Sequence, residues 1–334
     1  MAASDIPGPD PLVRRLFNIR DEEAFEALAV DIFRFQQQHN GLYRDFTRIL
    51  GIDASEVRHI RDIPFLPIEF FRDHCIVSGG RPVEKEFTSS GTTASEPGRH
   101  YVTDLSIYRE SFFTGFRLFY GDPGKFVILA LLPGYLERPG SSLVYMMEGL
   151  IAAAAPGSGF YLHDTRGLKD VLAGFHESGR KILLFGASYA LLDFAEEFGP
   201  KIPGAIVMET GGMKGRQKEI IREELHARIC TGLGIDRVHS EYGMTELLSQ
   251  SYSPGGGIFR SPPWMKVLAR DAQDPLSLLP PGMTGGLNII DLANIYSCAF
   301  IATQDLGKVR EDGSFEVLGR FDHSDTRGCS LLVT

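Results

Sequence analysis

Cysteine is scarce in this sequence. Four residues (Cys75, Cys230, Cys298 and Cys329) are scattered over 334 positions, with no CxxC pair and none in a recognisable metal-ligand pattern with histidine. That pattern excludes a disulfide framework or a zinc-finger type site and points to a reducing, cytoplasmic setting. There is no GxxxxGK[ST] stretch, so no Walker loop. Basic residues are outnumbered, 34 Lys and Arg against 43 Asp and Glu, for a net charge of -9. This argues against a general nucleic-acid or anionic-membrane binder and leaves room for a local cationic pocket. Long apolar runs are missing too. The longest such segment, Ser141 to Leu162, is broken by Glu148, Pro156 and three glycines, so no membrane span is expected. The start, "MAASDIPGPDPLVRRLF", lacks an apolar core behind a basic end, so no secretory signal is expected. There is no internal repeat and no low-complexity tract.

What is present fits a globular α/β chain. Apolar residues make up 43% and charged residues 23%, enough for a large buried core. The chain up to about Val57 reads as helical. In "DEEAFEALAVDIFRFQQQHN", Phe25, Leu28, Ile32 and Phe35 recur at three- and four-residue steps, Asp21 is a cap, and Asn40-Gly41 closes the segment. "DIPFLPIEFFRDH" is a buried connector. "KFVILALLP", "KILLFG" and "GAIVMETGG" are short continuous apolar runs, as in strands buried on both faces. "SLVYMMEGLIAAAA", "TRGLKDVLAGFHESG" and "RQKEIIREELHARICTGLG" are helical. Strands alternating with helices imply parallel sheets with helical cover. From Gly255 onward strands and turns dominate, with Asp312-Gly313 as a hairpin signal. Cys75, Cys230 and Cys298, each beside apolar neighbours, read as core residues.

Four polar loops follow apolar runs, where parallel sheets hold their ligands. In "EFTSSGTTASEPGRH", five of the six residues from Thr88 to Thr93 (Thr88, Ser89, Ser90, Thr92 and Thr93) carry hydroxyls, the sixth is Gly91, and Arg99 follows. Hydroxyls and exposed amides can wrap phosphate oxygens, with an arginine adding charge. The plainer reading is a surface loop. In "METGGMKGR", Gly211 and Gly212 let a flat ring approach the backbone, or simply turn strand into helix. In "HSEYGMTELLSQ", Tyr242 offers a ring, Gly243 and Met244 close approach, Thr245 a hydroxyl and Glu246 a hard oxygen ligand. The alternative there is a helix N-terminus capped by Thr245. In "ATQDLGKVREDGSFEVLGRFDHSD", Asp305 suits a ribose and Arg320 a phosphate, or both are ordinary turn and strand-end residues.

In this order, the Ser/Thr/Gly loop, the Gly-Gly turn, "YGMTE", "TQDLG" and "GRFD" resemble the adenylate-forming ligase superfamily. "IPFLPIEFF", "LLPGYLERPGSSLVYMM", "TGGMKGR" and "GRFDHSDTRGCSLL" are similar, more narrowly, to the acyl-protein synthetases of luminescence-type fatty acid reductases. The resemblance runs from about residue 60 to the end. In the first loop "ASEPGR" replaces the superfamily's Gly-x-Pro-Lys end, so Arg99 stands where a lysine is expected.

The resemblance implies an α/β fold. It is the large N-terminal domain of adenylate-forming ligases, with stacked mixed and parallel sheets, helical cover and a small β-rich subdomain. Residues 1–80 would form a helical segment on the core, 81–319 the nucleotide- and acyl-binding core, and 320–334 a short tail in place of the swinging C-terminal domain. It implies activation of a carboxylic, fatty acid by ATP and Mg²⁺ to an acyl-adenylate, then transfer to a thiol. Residues Thr88 to Thr93 and Arg99 would hold phosphates. Gly211, Gly212, Tyr242, Gly243 and Met244 would flank the nucleotide, and Thr245 would touch the α-phosphate. Glu246 would ligate Mg²⁺, Asp305 would bind ribose, and Arg320 ribose or phosphate. Lys214 is the candidate to replace the swinging domain's lysine, against a plain solvated lysine. Cys329 is the candidate acyl acceptor, against a small buried residue. Ser188 and Tyr189 read either as lining the acyl site or as core packing. A reductase partner and a homo-oligomer stay open. So do a coenzyme A- or carrier-loading ligase of the phenylacetate type and a nucleotide-binding module without turnover.

Overall fold

The computed structural model describes residues 9–89, 97–134, 140–176, 180–211 and 220–321. In chain order the strands among them are β1 (Leu66–Pro67), β2 (Lys85–Thr88), β3 (Arg99–Val102), β4 (Phe126–Leu131), β5 (Gly159–Phe160), β6 (Lys181–Ala187), β7 (Ile206–Thr210), β8 (His239–Tyr242), β9 (Ser251–Ser253), β10 (Ile258–Phe259), β11 (Met265–Arg270), β12 (Thr284–Asp291), β13 (Phe300–Val309) and β14 (Phe315–Arg320). The first sheet has the order β5-β4-β6-β7-β8-β9 and is parallel except for the β8–β9 pair. The second has the order β10-β14-β13-β12-β11, with antiparallel neighbours, and β1 joins β13 in parallel. β2 and β3 form a separate antiparallel pair.

The continuous apolar runs are strands because both faces of the first sheet are covered. In β4, Val127, Leu129 and Leu131 belong to one core. Leu191 and Phe194 of the helix Ser188–Glu197 and Ile229 and Leu233 of the helix Arg222–Leu233 share it. The alternate residues Phe126, Ile128 and Ala130 belong to the other core, with Phe112 and Phe116 of the helix Leu105–Tyr120. Side chains of a strand alternate between faces, so a strand buried on both needs no polar positions.

The N-terminal helix Glu22–His39 follows its periodicity. The Asp21 carboxylate accepts from the Ala24 amide at 2.8 Å, and Phe25, Leu28, Ile32 and Phe35 are all buried. Phe33 of the same helix meets Phe300 of β13 edge to face. Gln36, wholly buried, donates to the carbonyls of Asn294 and Ile295 at 2.9 Å each and accepts from the Ala299 amide at 3.0 Å. Its amide thus serves backbone groups of the β12–β13 connection that no strand could reach. Asn40 ends this helix and caps the next, Gly41–Ile49, by accepting from the Tyr43 amide.

Two expectations need correction. The stretch after β8 does not begin a helix: Leu247 turns back onto the Met244 carbonyl and the chain enters β9. The physical reason is Asp291, at the end of β12. It accepts from the Leu248 amide (2.8 Å), the Ser249 amide (3.0 Å), the Ser249 hydroxyl (2.6 Å) and the Ala293 amide (3.2 Å), which takes those donors away from helical geometry. Of the three cysteines read as core, Cys298 is buried, but Cys75 is exposed and Cys230 half-buried.

Asp291 is fully buried, and burial raises its pKa to about 6, with the bonds from Ser249, Leu248 and Ala293 pulling the other way. Asp291→Ala leaves those donors unpaired and is expected to cost about 3–5 kcal/mol in urea denaturation at neutral pH. A loss below about 1 kcal/mol would contradict this account of the connection.

Candidate active site

The C-terminal end of β8 meets the β13–β14 hairpin. Register in that hairpin sets Asp305 opposite Arg320. The Tyr242 hydroxyl, at the end of β8, donates to Asp305 Oδ2 at 2.7 Å, and Arg320 Nε approaches Asp305 Oδ1 at 3.3 Å. Tyr242 and Asp305 are buried, whereas Arg320 is about half exposed, at 56%. Burial and the Asp305 charge push the Tyr242 hydroxyl well above its ordinary range, so it stays protonated and donates. Its ring packs on Phe315 and Phe259. Gly243 sits close to Glu241: a Cβ there would lie 2.5 Å from Glu241 Oε1, so a side chain would displace that carboxylate. Gly211, just after β7, has φ +84°, the left-handed region that favours glycine.

The next two residues of the motif lie against the start of the hydroxyl loop. The Thr245 carbonyl accepts from His100 Nδ1 at 2.8 Å. That carbonyl can only accept, so Nδ1 carries the proton. Burial pulls His100 down to about 4, which keeps it neutral. Its Nε2 is buried with no hydrogen-bond partner among the described residues. The Glu246 carboxylate lies beside Gly98 and Ser89: a Cβ on Gly98 would meet Glu246 Oε1 at 2.5 Å and Ser89 Oγ at 3.4 Å. Ser89 and Gly98 close the neck of the loop through Gly98 N to Ser89 Oγ (2.8 Å) and Ser89 N to Gly98 O (2.9 Å). The Asn294 amide donates to the Glu246 carbonyl at 2.8 Å, which fixes the backbone beneath that carboxylate. Thr88 pairs with Arg99 across β2 and β3, and Arg99 Nε lies 3.8 Å from Glu86 Oε1.

Behind this face sit two buried carboxylates. Glu209 of β7 accepts from the Ser188 hydroxyl at 2.5 Å and lies 3.6 Å from His226 Nε2. Burial pushes Glu209 up, but nearby His226, the bond from Ser188, nearby Ser240 and the Arg222 charge outweigh it, so the net direction is down. Glu241 of β8 accepts from the Thr210 hydroxyl at 2.5 Å. Burial raises it to about 7, the Thr210 bond opposes this, and the Glu209 charge adds to the rise. One carboxylate is held ionised and its neighbour is poised near neutrality.

Of the residues singled out in the sequence, the structure brings Tyr242, Asp305 and Arg320 together, and sets Glu246 beside Ser89. Ser188 is fully buried on Glu209 at the start of its helix, and the half-buried Tyr189 donates to the Pro133 carbonyl at 2.9 Å. Ser90, Gly91, Thr92, Thr93, Gly212, Lys214 and Cys329 lie outside the described residues. His100, Glu209 and Glu241 were not singled out. The signal available for Glu209 was its place in the largely apolar strand "IVMET"; the polar "HSEY" offered none for Glu241. Nothing local marked His100. Among the described residues, no three His, Cys, Asp or Glu side chains cluster as a metal site. No helix among them is long and apolar enough to cross a membrane.

The family described as "Acyl-protein synthetase, LuxE" matches residues 176–334, the part that carries β7, β8, "YGMTE" and the β13–β14 hairpin. Over that span, a little under half of its length, the chain is similar to this family. A curated relative, the long-chain-fatty-acid–luciferin-component ligase of Vibrio harveyi, is 26% identical and aligns over 90% of this chain and 85% of its own length. The fold is that of adenylate-forming ligases. An open conformation of 2-hydroxyisobutyryl-CoA ligase superposes with a TM-score of 0.66 at 14% identity, covering 97% of this chain and 76% of that one. ATP-bound MatB from Rhodopseudomonas palustris gives a TM-score of 0.55 at 18% identity, over 72% of this chain. This chain spans about half, 49%, of that MatB structure.

Glu241 offers a direct test of the electrostatics. Its pKa is higher folded than unfolded, so the stability it contributes is complete at low pH and lost as pH rises from about 4.5 to about 7. Relative to Glu241→Gln, the unsubstituted protein is expected to lose on the order of 3 kcal/mol across that window and little beyond it. Thermal denaturation of both proteins from pH 5 to 8 checks this; a constant difference between them would refute it.

Proposed function

We propose that this chain activates a long-chain fatty acid with ATP and passes the acyl group to a protein thiol. The family match over the segment that carries Tyr242, Glu246, Asp305 and Arg320 supports the reading. A carboxylate resists attack because oxide is a poor leaving group. In the first step the acid's oxygen attacks the α-phosphorus of ATP, and the bond to pyrophosphate breaks. In the second a thiol sulfur attacks the acyl carbon, the carbon–oxygen bond to AMP breaks, and the thiol proton leaves. Both steps build charge on oxygens, so the protein's task is positioning and charge stabilisation.

Asp305, held between Tyr242 and Arg320, is oriented to accept from ribose hydroxyls, and Arg320, half exposed, to reach ribose or phosphate. Gly211, Gly212, Tyr242, Gly243 and Met244 flank the nucleotide. The loop Thr88–Thr93 takes the phosphates with Arg99 behind it, and Thr245, its carbonyl pinned by His100, presents its hydroxyl to the α-phosphate. Glu246 fits Mg²⁺: a hard oxygen donor faces the loop neck at Gly98, where a side chain would crowd the carboxylate. When bound, that ion would neutralise phosphate charge, with phosphates and water completing its shell. Lys214 supplies the positive charge for adenylation, Cys329 accepts the acyl group, and a reductase takes it up. Ser188 serves the acyl side indirectly, by holding Glu209.

The test is fatty-acid-dependent exchange of pyrophosphate into ATP. Asp305→Ala is expected to raise the KM for ATP at least about tenfold, the loss of about 1.4 kcal/mol. Glu246→Gln is expected to slow exchange about 100-fold. Absence of exchange with short, long and aromatic acids alike would sink the reading. Lys214→Ala should abolish exchange while sparing ATP binding. Labelled acyl-enzyme should form without coenzyme A and vanish in Cys329→Ser; thioester formation that requires coenzyme A would favour a ligase that loads it instead.

A further inference from the structure

A cleft of about 430 Å³ opens at the other end of the first sheet. Its wall includes Phe126, Lys181, Ile206 and His239, the first residues of β4, β6, β7 and β8. The residues assigned above to the nucleotide follow the last residues of β7 and β8. Three steps of β8, about 10 Å, separate His239 from Tyr242. Phe185 and Met208, paired in the middle of β6 and β7, are fully buried between the two ends. The cleft is therefore no extension of the active site, and it lies on the side of a parallel sheet where substrates of such folds do not bind.

Its chemistry is uneven in a telling way. Phe119, Phe126, Tyr252 and Ile206 make the walls apolar and aromatic. Tyr120 Oη and His239 Nδ1, 3.2 Å apart, form a polar pair inside it. Burial, with the Arg237 charge, lowers the pKa of His239, and burial raises that of Tyr120, so both are neutral. No lining residue is acidic. The rim carries two cations. Arg260 is engaged by Asp312 at 2.7 Å, whereas the exposed Lys181 makes no ion pair among the described residues, its ammonium standing 5.7 Å from the Phe126 ring centroid. Volume, walls and a small number of polar groups match a small-molecule site.

We propose that this cleft binds a small amphipathic anion, an apolar ring or alkyl body held between Phe119, Phe126, Tyr252 and Ile206 with its acidic group at Lys181. The proposal is independent of the reaction assigned to the opposite end of the sheet. The probe is anilinonaphthalene sulfonate, titrated by fluorescence against the full chain. One saturable site is expected, from which dodecanoate displaces the dye and dodecyltrimethylammonium, of equal tail length, does not. Lys181→Glu is expected to weaken dye binding about tenfold, Lys181→Arg to retain it, and Ile206→Trp to block it. Saturating ATP should leave the dye bound, and both blocking variants should keep an unchanged KM for the acid in pyrophosphate exchange. Lack of saturable binding, equal displacement by the cationic amphiphile, or full dye affinity in Lys181→Glu would each overturn the proposal. Lys181 is at the surface, so its variant reports even if the bulkier Ile206→Trp fails to fold. Loss of acid-dependent exchange in that variant would place the dye in the active site instead and likewise overturn it.

Discussion

The hydrogen bond between Tyr242 and Asp305 joins the two sheets where the C-terminal end of β8 meets the β13–β14 hairpin. A buried carboxylate is tolerated only with partners. Here one partner comes from β8, and the other, Arg320, from the neighbouring strand of the same sheet. The bond cannot form unless both sheets have folded and docked. It therefore couples the assembly of the domain to the geometry of the site, and it leaves Arg320 as the half-exposed charge at the opening.

The same device recurs around the motif. Asp291 gathers amides that follow "YGMTE", His100 takes the Thr245 carbonyl, and Asn294 takes the carbonyl of Glu246. Each uses a buried polar side chain to satisfy irregular backbone that no strand or helix serves. Loops built this way hold their residues in one place, as the proposed site requires. Glu209 and Glu241 complete the pattern: neighbouring carboxylates on adjacent strands are driven apart in pKa because one collects donors and the other receives little beyond Thr210.

Much of this was readable along the chain where the cause is local. The helix Glu22–His39 follows from its apolar spacing and the Asp21 cap. The strands β4, β6 and β7 follow from short apolar runs, and the β13–β14 hairpin from Asp312-Gly313. The turn after Tyr242 was not readable, because "TELLSQ" carries a good helix start and its actual course is set by Asp291, over forty residues away. Cys75 and Cys230 were misjudged for a related reason: apolar neighbours in sequence do not say which way one side chain faces.

By itself the sequence determined the element types, the order of polar loops after strands and the motif residues, since these depend on propensity, periodicity and residue chemistry within a few positions. The tertiary structure alone decided that Tyr242 would spend its hydroxyl on Asp305, that His100 would be neutral, that Glu241 would sit near a pKa of about 7, and that a cleft would open at the far ends of the strands. Those properties arise from burial and from groups distant in the chain, and neither exists until the sheets have packed.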